Sequence, residues 1–500
     1  MSKVSVRKIN TKHSRILEGG VPRVVDLFAG CGGISLGFRL AGCEIMAGFD
    51  KDDAAMETWW FNLSLDRRRG SKDRGIDLVE LSPKETFAAC GLKERINQVD
   101  ILVGGPPCQA YSKVGRSKLK SVTQDEDAHL NDDRGTLWEC FLDYVEELAP
   151  LAVLMENVPD SLNYGGLNIP VQICQRLQEL GYASYYSLLN AAEYGVPQSR
   201  ERVFVVAVHS KLYDGGCLFP TPTHQLLDDM DVLAGGRSRI RNIVKGGKER
   251  DAVIPPLPDG QALGAVTVEQ ALEDLPVIEA LDKNGKPLPL PQGSPDAQIR
   301  PYVYDCENGY QHLMRLWPGL EMLEGEEVSG NIVRDTPRDF PIFRRMKGGE
   351  DFRDASRIAD ERFEQARQEY QAMMAGLEVS AEALKKLKKD IVPPYDRNKF
   401  FSKWLKMRGD RPSHTLVAHL KNDTYSHIHY DSRQARGISV REAARLQSFP
   451  DGFRFFGALG DAYAQIGNAV PPWLIFHMAS SLMEAIGSKP ASIEVEKFVI

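Results

Sequence analysis

Six short runs of apolar and β-branched residues constrain the fold of this chain more than any other feature of its sequence. They alternate with helical patterns across residues 21–209. The runs are Val24 to Phe28, Ile45 to Phe49, Ile101 to Val103, Ala152 to Met155, Ala183 to Leu189 and Val203 to Val208. This alternation predicts an α/β domain built on a mostly parallel, doubly wound sheet. Because such sheets bind ligands at the carboxyl ends of their strands, the motifs that directly follow the runs are the candidate functional sites.

Composition narrows the class of protein without identifying it. The chain has 500 residues, of which 42% are hydrophobic and 26% charged, so it is long enough for at least two globular domains. Its longest strongly apolar run, Val203 to Val208, is far too short to span a bilayer, and the N-terminus has no apolar signal segment. Eight scattered cysteines without a C-x-x-C pair favour neither a disulfide framework nor a zinc site. We therefore expect an intracellular protein without membrane contact.

The net charge of −7 is not typical of a nucleic-acid-binding protein. Contacts with phosphates would therefore depend on local basic stretches. Arg67 to Arg69 form one such stretch, and a Gly-punctuated second one contains Arg237, Arg239, Arg241, Lys245, Lys248 and Arg250. The simpler interpretation of each stretch is a solvated loop.

After Lys211 the strand–helix alternation ends, and Pro, Gly and Asp cluster across residues 219–301. This change predicts a domain boundary. The Ala-, Glu-, Lys- and Arg-rich residues 352–389 predict an inserted pair of helices interrupted near Gly376. Ser439 followed by Glu442 predicts a capping box at the start of another helix.

The first run leads into a Gly-rich turn, Gly30-Cys31-Gly32-Gly33, and an apolar helical pattern follows. Glycines let the backbone approach a nucleoside closely, and helix N-terminal amides can face its polar groups. Asp50 follows the second run, where an acceptor suits ribose hydroxyls. Asp77 lies in Gly75 to Leu78, which could end a further strand, although it could equally be a surface carboxylate. Dinucleotide enzymes carry similar turns, and a tight connection without a ligand is the simplest alternative.

Cys108 follows the third run in the sequence Gly104-Gly105-Pro106-Pro107-Cys108. The prolines fix the backbone and the glycines clear space, so this turn presents one thiol at the carboxyl edge of the sheet. A thiol is mostly protonated at neutral pH, so it needs a positive neighbour or helix amides to become a nucleophile. The pattern predicts a catalytic cysteine.

Glu156 ends the fourth run and should lie at the same edge as Cys108. There its carboxyl group could bind the Watson–Crick edge of a base and protonate a ring nitrogen, provided that burial raises its pKa. Arg200 and Arg202 precede the last run and point to one side by strand alternation. A structural salt bridge is the alternative role for Arg202.

Six segments in this order closely resemble the motifs of DNA cytosine-5 methyltransferases: DLFAGCGG, GGPPCQAYS, MENVP, QSRERVF, REAARLQSFPD and QIGNAVPP. The resemblance extends from Val24 to Trp473. It implies that Cys108 attacks carbon 6 of a cytosine flipped out of duplex DNA, while Glu156 engages ring nitrogen 3 and the exocyclic amine. Carbon 5 would then accept a methyl group from S-adenosylmethionine, without a metal ion.

The same resemblance implies the remaining site residues. Arg200 would contact the flipped base, and Arg202 would support the base or the catalytic loop, Gln109 to Asn131, which would close over DNA. The cofactor site would be lined by Phe28, Gly30, Cys31, Gly32, Asp50, Asp77, Leu78, Pro107, Asn468 and Val470. At Asp50 the family more commonly has Glu.

The resemblance also implies a domain plan. A Rossmann-like, doubly wound S-adenosylmethionine-dependent methyltransferase domain would comprise residues 1–210 and 460–500, with Gln465 to Pro472 folded back beside the Gly-rich turn. Residues 211–459 would form a smaller, irregular target-recognition domain with the helical insertion around 352–389. The target sequence cannot be read from this region.

The predicted partner is double-stranded DNA, and we expect a monomer in the bacterial cytoplasm, associated with the nucleoid. Its role would be modification within a restriction–modification system, without a stable complex with the endonuclease. A tRNA cytosine-5 methyltransferase of the same architecture and a catalytically silent DNA-binding relative are the main alternatives. A dinucleotide oxidoreductase is a weaker one, because Pro-Pro-Cys-Gln has no role there.

Overall fold

The computed structural model describes residues 5–64, 75–107, 137–226, 236–246, 251–296, 298–322, 327–374, 379–396 and 403–493. These residues belong to two compact units. The first unit comprises Met1–Val266, Gln447–Phe449 and Asn468–Lys497, and the second comprises Thr267–Leu446 and Pro450–Gly467 within the described part of the chain. The predicted domain limits at 210 and 460 divide the chain by function, and that division stays a prediction.

The strands are β1 (Arg23–Leu27), β2 (Glu44–Phe49), β3 (Ile101–Gly104), β4 (Ala152–Asn157), β5 (Tyr182–Asn190), β6 (Gln198–Ser199), β7 (Glu201–His209), β8 (His224–Gln225), β9 (Leu263–Gly264) and β10 (Ser413–His414). The helices are α1 (Val6–Leu17), α2 (Gly33–Leu40), α3 (Asp53–Leu63), α4 (Pro83–Ala89), α5 (Leu137–Leu148), α6 (Ile169–Glu179), α7 (Gly236–Lys245), α8 (Val268–Leu272), α9 (Gly309–Arg315), α10 (Phe340–Arg345), α11 (Phe352–Met373), α12 (Ala381–Ile391), α13 (Val440–Leu446), α14 (Leu459–Asn468) and α15 (Pro472–Ala485). Short 3₁₀ helices are Lys93–Gln98, Pro159–Asn163, Ala191–Tyr194 and Ala418–Lys421.

The first unit is built on a six-stranded sheet of order β2-β1-β3-β4-β7-β5. The pairs β1/β2, β1/β3 and β3/β4 are parallel, whereas β7 runs antiparallel to β4 and β5. Every residue of β3 and β4 is buried. Strands covered on both faces need continuous apolar sequence, which is why the six apolar runs predicted all six strands.

Residues near the C-terminus pack beside the Gly-rich turn within this unit. A side chain at Gly33 would overlap the carbonyl of Val470, and one at Gly37 would lie 2.6 Å from Cβ of Ile475 on α15. Helix α2 therefore approaches α15 and the residues just before it so closely that only hydrogen fits at these two positions.

The predicted strand end at Gly75 to Leu78 is wrong, because this stretch forms an irregular connection and a turn. Two backbone N–H groups of this stretch donate hydrogen bonds to residues at the end of β2 and the start of α3. The N–H of Ile76 donates to the carbonyl of Asp50 at 2.7 Å, and that of Gly75 donates to Oδ1 of Asp53 at 2.7 Å. The stretch is thus held by the β2–α3 connection rather than by a neighbouring strand.

In the second unit the sequence predicted the local elements well. Helices α11 and α12 confirm the interrupted helical pair. The capping box is present as predicted: the N–H of Glu442 donates to Oγ of Ser439 at 3.1 Å, and Oε2 of Glu442 accepts the N–H of Ser439 at 2.7 Å. Within this unit the fully buried Arg445 donates hydrogen bonds to Asp274 and Asp451. The charges of these three buried residues are therefore paired with one another.

The two basic stretches have different outcomes. Arg67 to Arg69 lie outside the described residues. Arg239, Arg241 and Lys245 are exposed on α7, which is a helix rather than the loop that the glycines indicated. No helix among the described residues is long and apolar enough to cross a membrane.

Burial of His477 on α15 makes the stability of the first unit depend on pH. Its ring lies against Tyr194 and Trp473, with ring centroids 5.6 and 5.0 Å away, and burial lowers its pKa from 6.5 to about 3. The unfolded chain therefore binds a proton below about pH 6.5 that the folded chain excludes. The contribution of the buried, neutral His477 to stability is complete above pH 6.5. It is lost as the pH falls from 6.5 towards 3, by roughly 1.4 kcal/mol per pH unit.

We expect His477→Asn to remove that slope from the free energy of unfolding between pH 6 and pH 5, as measured by urea denaturation. His13→Asn, which replaces a half-buried histidine on α1, is the matched control. An equal change of slope in both variants would contradict burial as the cause.

Candidate active site

The candidate functional residues of the first unit lie at one edge of its sheet. The ends of three parallel strands lie close together in register, since Leu27 at the end of β1 pairs with Gly104 at the end of β3, and Gly104 pairs with Met155, two residues before the end of β4. Phe28, which leads into the Gly-rich turn, follows Leu27; Gly105 follows Gly104, and Glu156 follows Met155. The structure thus brings together the motifs that the sequence placed after separate strands.

The Gly-rich turn depends on residues with left-handed backbone. Gly30 and Gly32 have φ values of 53° and 98°, and Phe28 adopts a φ of 57° although it is not glycine. A side chain at Gly32 would overlap Leu63 on α3, whereas one at Gly30 would meet no atom of the described residues within 4 Å. The backbone at Gly30 therefore borders open space that a ligand can approach. Strained residues such as Phe28 concentrate at functional sites.

Asp50 holds this turn from the end of β2. Its Oδ2 accepts the N–H of Gly30 at 2.9 Å, and its Oδ1 accepts the N–H of Asp52 at 2.9 Å. Burial raises the pKa of Asp50, while these two hydrogen bonds oppose that rise. Because a carboxylate has about four acceptor sites, Asp50 can also accept a hydrogen bond from a ligand hydroxyl.

The other predicted cofactor residues differ in their surroundings. Asp77 accepts the N–H of Val79 at 3.1 Å and lies 3.6 Å from Nζ of Lys51. Leu78 is buried, and Cys31 is buried so completely that the pKa of its thiol is raised. Pro107 is half-buried, Asn468 is exposed and Val470 is buried.

Glu156 is buried at the end of β4, beside a cation. In the antiparallel pair of β4 and β7 it lies opposite Phe204, and Arg202 is two residues earlier on the same face of β7. The Nε of Arg202 lies 2.8 Å from Oε1 of Glu156. Burial raises the pKa of Glu156, whereas Arg202 and Arg200 lower it. A carboxyl group under two opposed influences can take either protonation state during a reaction.

The turn after β3 passes directly over this carboxyl group. A Cβ added at Gly105 would lie 3.0 Å from Oε2 of Glu156, so the glycine permits the close approach. Cys108 is three residues further along the chain and lies outside the described residues, as does the predicted catalytic loop from Gln109 to Asn131.

Arg200 is fully buried, and its Nη2 donates to the carbonyl of Ala469 at 2.9 Å. Ala469 lies between the two predicted cofactor residues Asn468 and Val470. The same carbonyl accepts a hydrogen bond from Nε2 of Gln447, a residue that was not among the predicted site residues. Gln447 lies in the motif REAARLQSFPD and at the end of the predicted capped helix, but neither signal assigned its side chain a role.

In the described ranges no group of three or more His, Cys, Asp and Glu side chains is arranged to hold a metal ion. His414 and His427, two residues of a type that often binds metals, stack on each other, with ring centroids 3.9 Å apart. Burial lowers the pKa of both rings.

Comparison with known proteins agrees with this arrangement. Residues 22–247 and 331–484 match the family of C-5 cytosine-specific DNA methylases. A protein of Oceanobacillus iheyensis assigned to the type II methyltransferases is 42% identical over 474 residues, which cover 93% of this chain and 96% of that protein. Type II methyltransferase M.AgeI of Thalassovita gelatinovora is 30% identical, covering 93% of this chain and all of that protein.

The fold is also found among solved structures. A protein assigned as a DNA modification methyltransferase of an Escherichia coli prophage has a TM-score of 0.58 at 21% identity, covering 93% of this chain and 100% of that chain. Together these findings confirm the predicted fold class and activity over the tRNA, silent and oxidoreductase alternatives. The chain belongs to the C-5 cytosine-specific DNA methylase family and is a DNA cytosine-5 methyltransferase whose methyl donor is S-adenosylmethionine.

Proposed function

We propose that Cys108 is the nucleophile of this methyltransferase and that Glu156 is its acid. The observation that carries the proposal is the burial of Glu156 directly beneath the turn that leads to Cys108. Attack from above the ring requires that the cytosine be flipped out of the stack, which costs a few kcal/mol.

In the proposed reaction the Cys108 thiolate forms a bond to carbon 6 of the flipped cytosine. The electrons of the carbon 5–carbon 6 double bond move into the ring, and Glu156 donates its proton to nitrogen 3. Carbon 5 thereby becomes nucleophilic. After methylation, loss of the carbon 5 proton and departure of the Cys108 sulfur restore the double bond, and nitrogen 3 returns its proton to Glu156.

The two arginines are proposed to have separate roles. Arg202 lies 2.8 Å from Glu156 and limits how far burial raises the pKa of its carboxyl group, so that the group can release its proton as well as hold it. Arg200 is proposed to contact the flipped base.

The cofactor site is proposed to be formed by the Gly-rich turn, Asp50 and the segment Asn468 to Val470. The open space beside Gly30 and the acceptor capacity of Asp50 fit a nucleoside. Phe28, Cys31, Gly32, Asp77, Leu78 and Pro107 are the other proposed lining residues. S-adenosylmethionine supplies an electrophilic methyl group when it is bound there.

We infer that residues 211–459 form the domain that reads the target DNA sequence and that the enzyme modifies DNA within a restriction–modification system. The type II names of its relatives support this role. A monomer in the bacterial cytoplasm that forms no stable complex with a cognate endonuclease is the arrangement proposed.

Substrate DNA that contains 5-fluorocytosine at the target should trap the enzyme covalently, because fluorine at carbon 5 cannot leave as a proton does. Cys108→Ser should abolish trapping and lower turnover at least 100-fold, because a serine hydroxyl is far less ionised than a thiol. Mass spectrometry of the trapped peptide identifies the attached residue. A cross-link on any other residue, or full activity of Cys108→Ser, would refute the mechanism.

The rate of methyl transfer should fall as rising pH deprotonates Glu156. Glu156→Gln should slow transfer roughly 100-fold or more and remove this alkaline limb. Arg202→Gln should move the limb to higher pH, because loss of the cation raises the pKa of Glu156 further. Single-turnover rates between pH 5.5 and pH 9 measure both effects. Arg176→Gln, which removes an ion pair of α6 at the surface, is the control, and a limb that moves to lower pH in Arg202→Gln would contradict the assignment.

Gly33→Ala should weaken binding of S-adenosylhomocysteine by about tenfold or more, because its methyl group would displace Val470 from the proposed cofactor site. Isothermal titration calorimetry measures the affinity, and NAD should not bind. Gly260→Ala introduces the same methyl group where no atom lies within 4 Å and should leave the affinity unchanged. Equal affinities in the two variants would argue against this cofactor site.

A further inference from the structure

Three residues between α13 and α14 belong to a different unit from their neighbours. Gln447–Phe449 are part of the first unit, whereas the chain on either side of them is part of the second. All three are buried, and Ser448 has a φ of 61°. Left-handed backbone at a residue other than glycine is uncommon and persists only where the surroundings fix it.

Two side chains of this tripeptide hold the segment that leads into α15. The Nε2 of Gln447 donates to the carbonyl of Ala469, and Oγ of Ser448 accepts the N–H of Trp473 at 3.1 Å. The second bond satisfies one of the amides that are unpaired at the start of a helix. Residues 469–473 are therefore fixed at both ends by consecutive side chains.

The amide of Gln447 also reaches β6, the short strand that directly precedes the proposed base contact Arg200. Its Oε1 accepts Nε2 of Gln198, two residues before Arg200. Arg200 in turn donates to the same Ala469 carbonyl at 2.9 Å. Gln447 and Arg200 thus share one acceptor, and the side chains of Gln447, Gln198 and Arg200 are buried, where an unmade hydrogen bond is costly.

We propose that Gln447 is a positioning residue for methyl transfer. By holding the Ala469 carbonyl and Gln198, it fixes the direction in which the guanidinium of Arg200 faces the flipped cytosine. The inference rests on the proposed role of Arg200. Gln447→Met would keep the volume of the side chain but lose the hydrogen bonds to Ala469 and Gln198. The Ala469 carbonyl would then be free to move together with Arg200.

A double-mutant cycle tests this inference with the full chain, S-adenosylmethionine and a DNA duplex that contains the target. Single-turnover methyl transfer is measured at saturating DNA and cofactor for Gln447→Met, Arg200→Met and the double variant. We expect each single variant to be at least tenfold slower than the parent, and the double variant to be no slower than Arg200→Met. Residues that act as one unit give such non-additive losses.

Gln311→Met is the matched control. Gln311 is also fully buried and joins two backbone groups, since its Nε2 donates to the carbonyl of Gln270 at 2.9 Å and its Oε1 accepts the N–H of Glu307 at 2.7 Å. This variant should lose stability while its loss of rate, if any, multiplies with that of Arg200→Met. Where Gln447→Met does not fold, Gln198→Met removes the same link from its other partner.

Losses that multiply for Gln447→Met and Arg200→Met, or an unchanged rate in Gln447→Met, would overturn the positioning role. A full rate in Arg200→Met would overturn the proposed function of Arg200 itself, and with it the premise of this inference. The two failures are therefore distinguished by the Arg200→Met variant alone.

Discussion

Parallel pairing of β1, β3 and β4 is the constraint on which the site depends. Because these strands run in the same direction and are in register at Leu27, Gly104 and Met155, the turns that follow β1 and β3 leave the sheet side by side, next to Glu156 on β4. Such crowding leaves little room for side chains. Glycine therefore stands where backbone passes backbone or a carboxyl group: Gly104 against the carbonyl of Leu27, and Gly105 against Glu156.

The same crowding explains the electrostatics of the first unit. Asp26, Asp50 and Glu156 lie on or directly after the strands of this edge, and burial raises the pKa of all three, that of Asp26 to about 7. Asp26 and Asp50 are stabilised by hydrogen bonds from Ser35 and Gly30, respectively. Glu156 is instead paired with the guanidinium of Arg202. A hydrogen-bonded carboxylate is suited to shaping a turn, whereas a carboxyl group balanced between burial and an arginine is suited to proton transfer.

Local signals in the sequence predicted the strands and the helix cap, which depend on residues close to one another along the chain. The six strands followed from continuous apolar runs, and the cap at Ser439 followed from a spacing of three residues. The connection at Gly75 to Leu78 was mistaken for a strand end because its partners, Asp50 and Asp53, lie more than twenty residues earlier and left no periodic signal. Gln447 was missed for the same reason, since it pairs with Gln198, 249 residues away.

Long-range contacts of this kind also link folding to ligand binding. The proposed cofactor turn follows β1 near the N-terminus, yet Val470 and Ile475 fill the space beside Gly33 and Gly37 from the opposite end of the chain. The two segments gain nothing from proximity in sequence, so the entropy of bringing them together must be offset by packing in the folded unit. A ligand held by both segments binds only after they have met, and its binding free energy then adds to the stability of that contact. The proposed cofactor would therefore stabilise most strongly the part of the fold that the chain itself assembles at the greatest entropic cost.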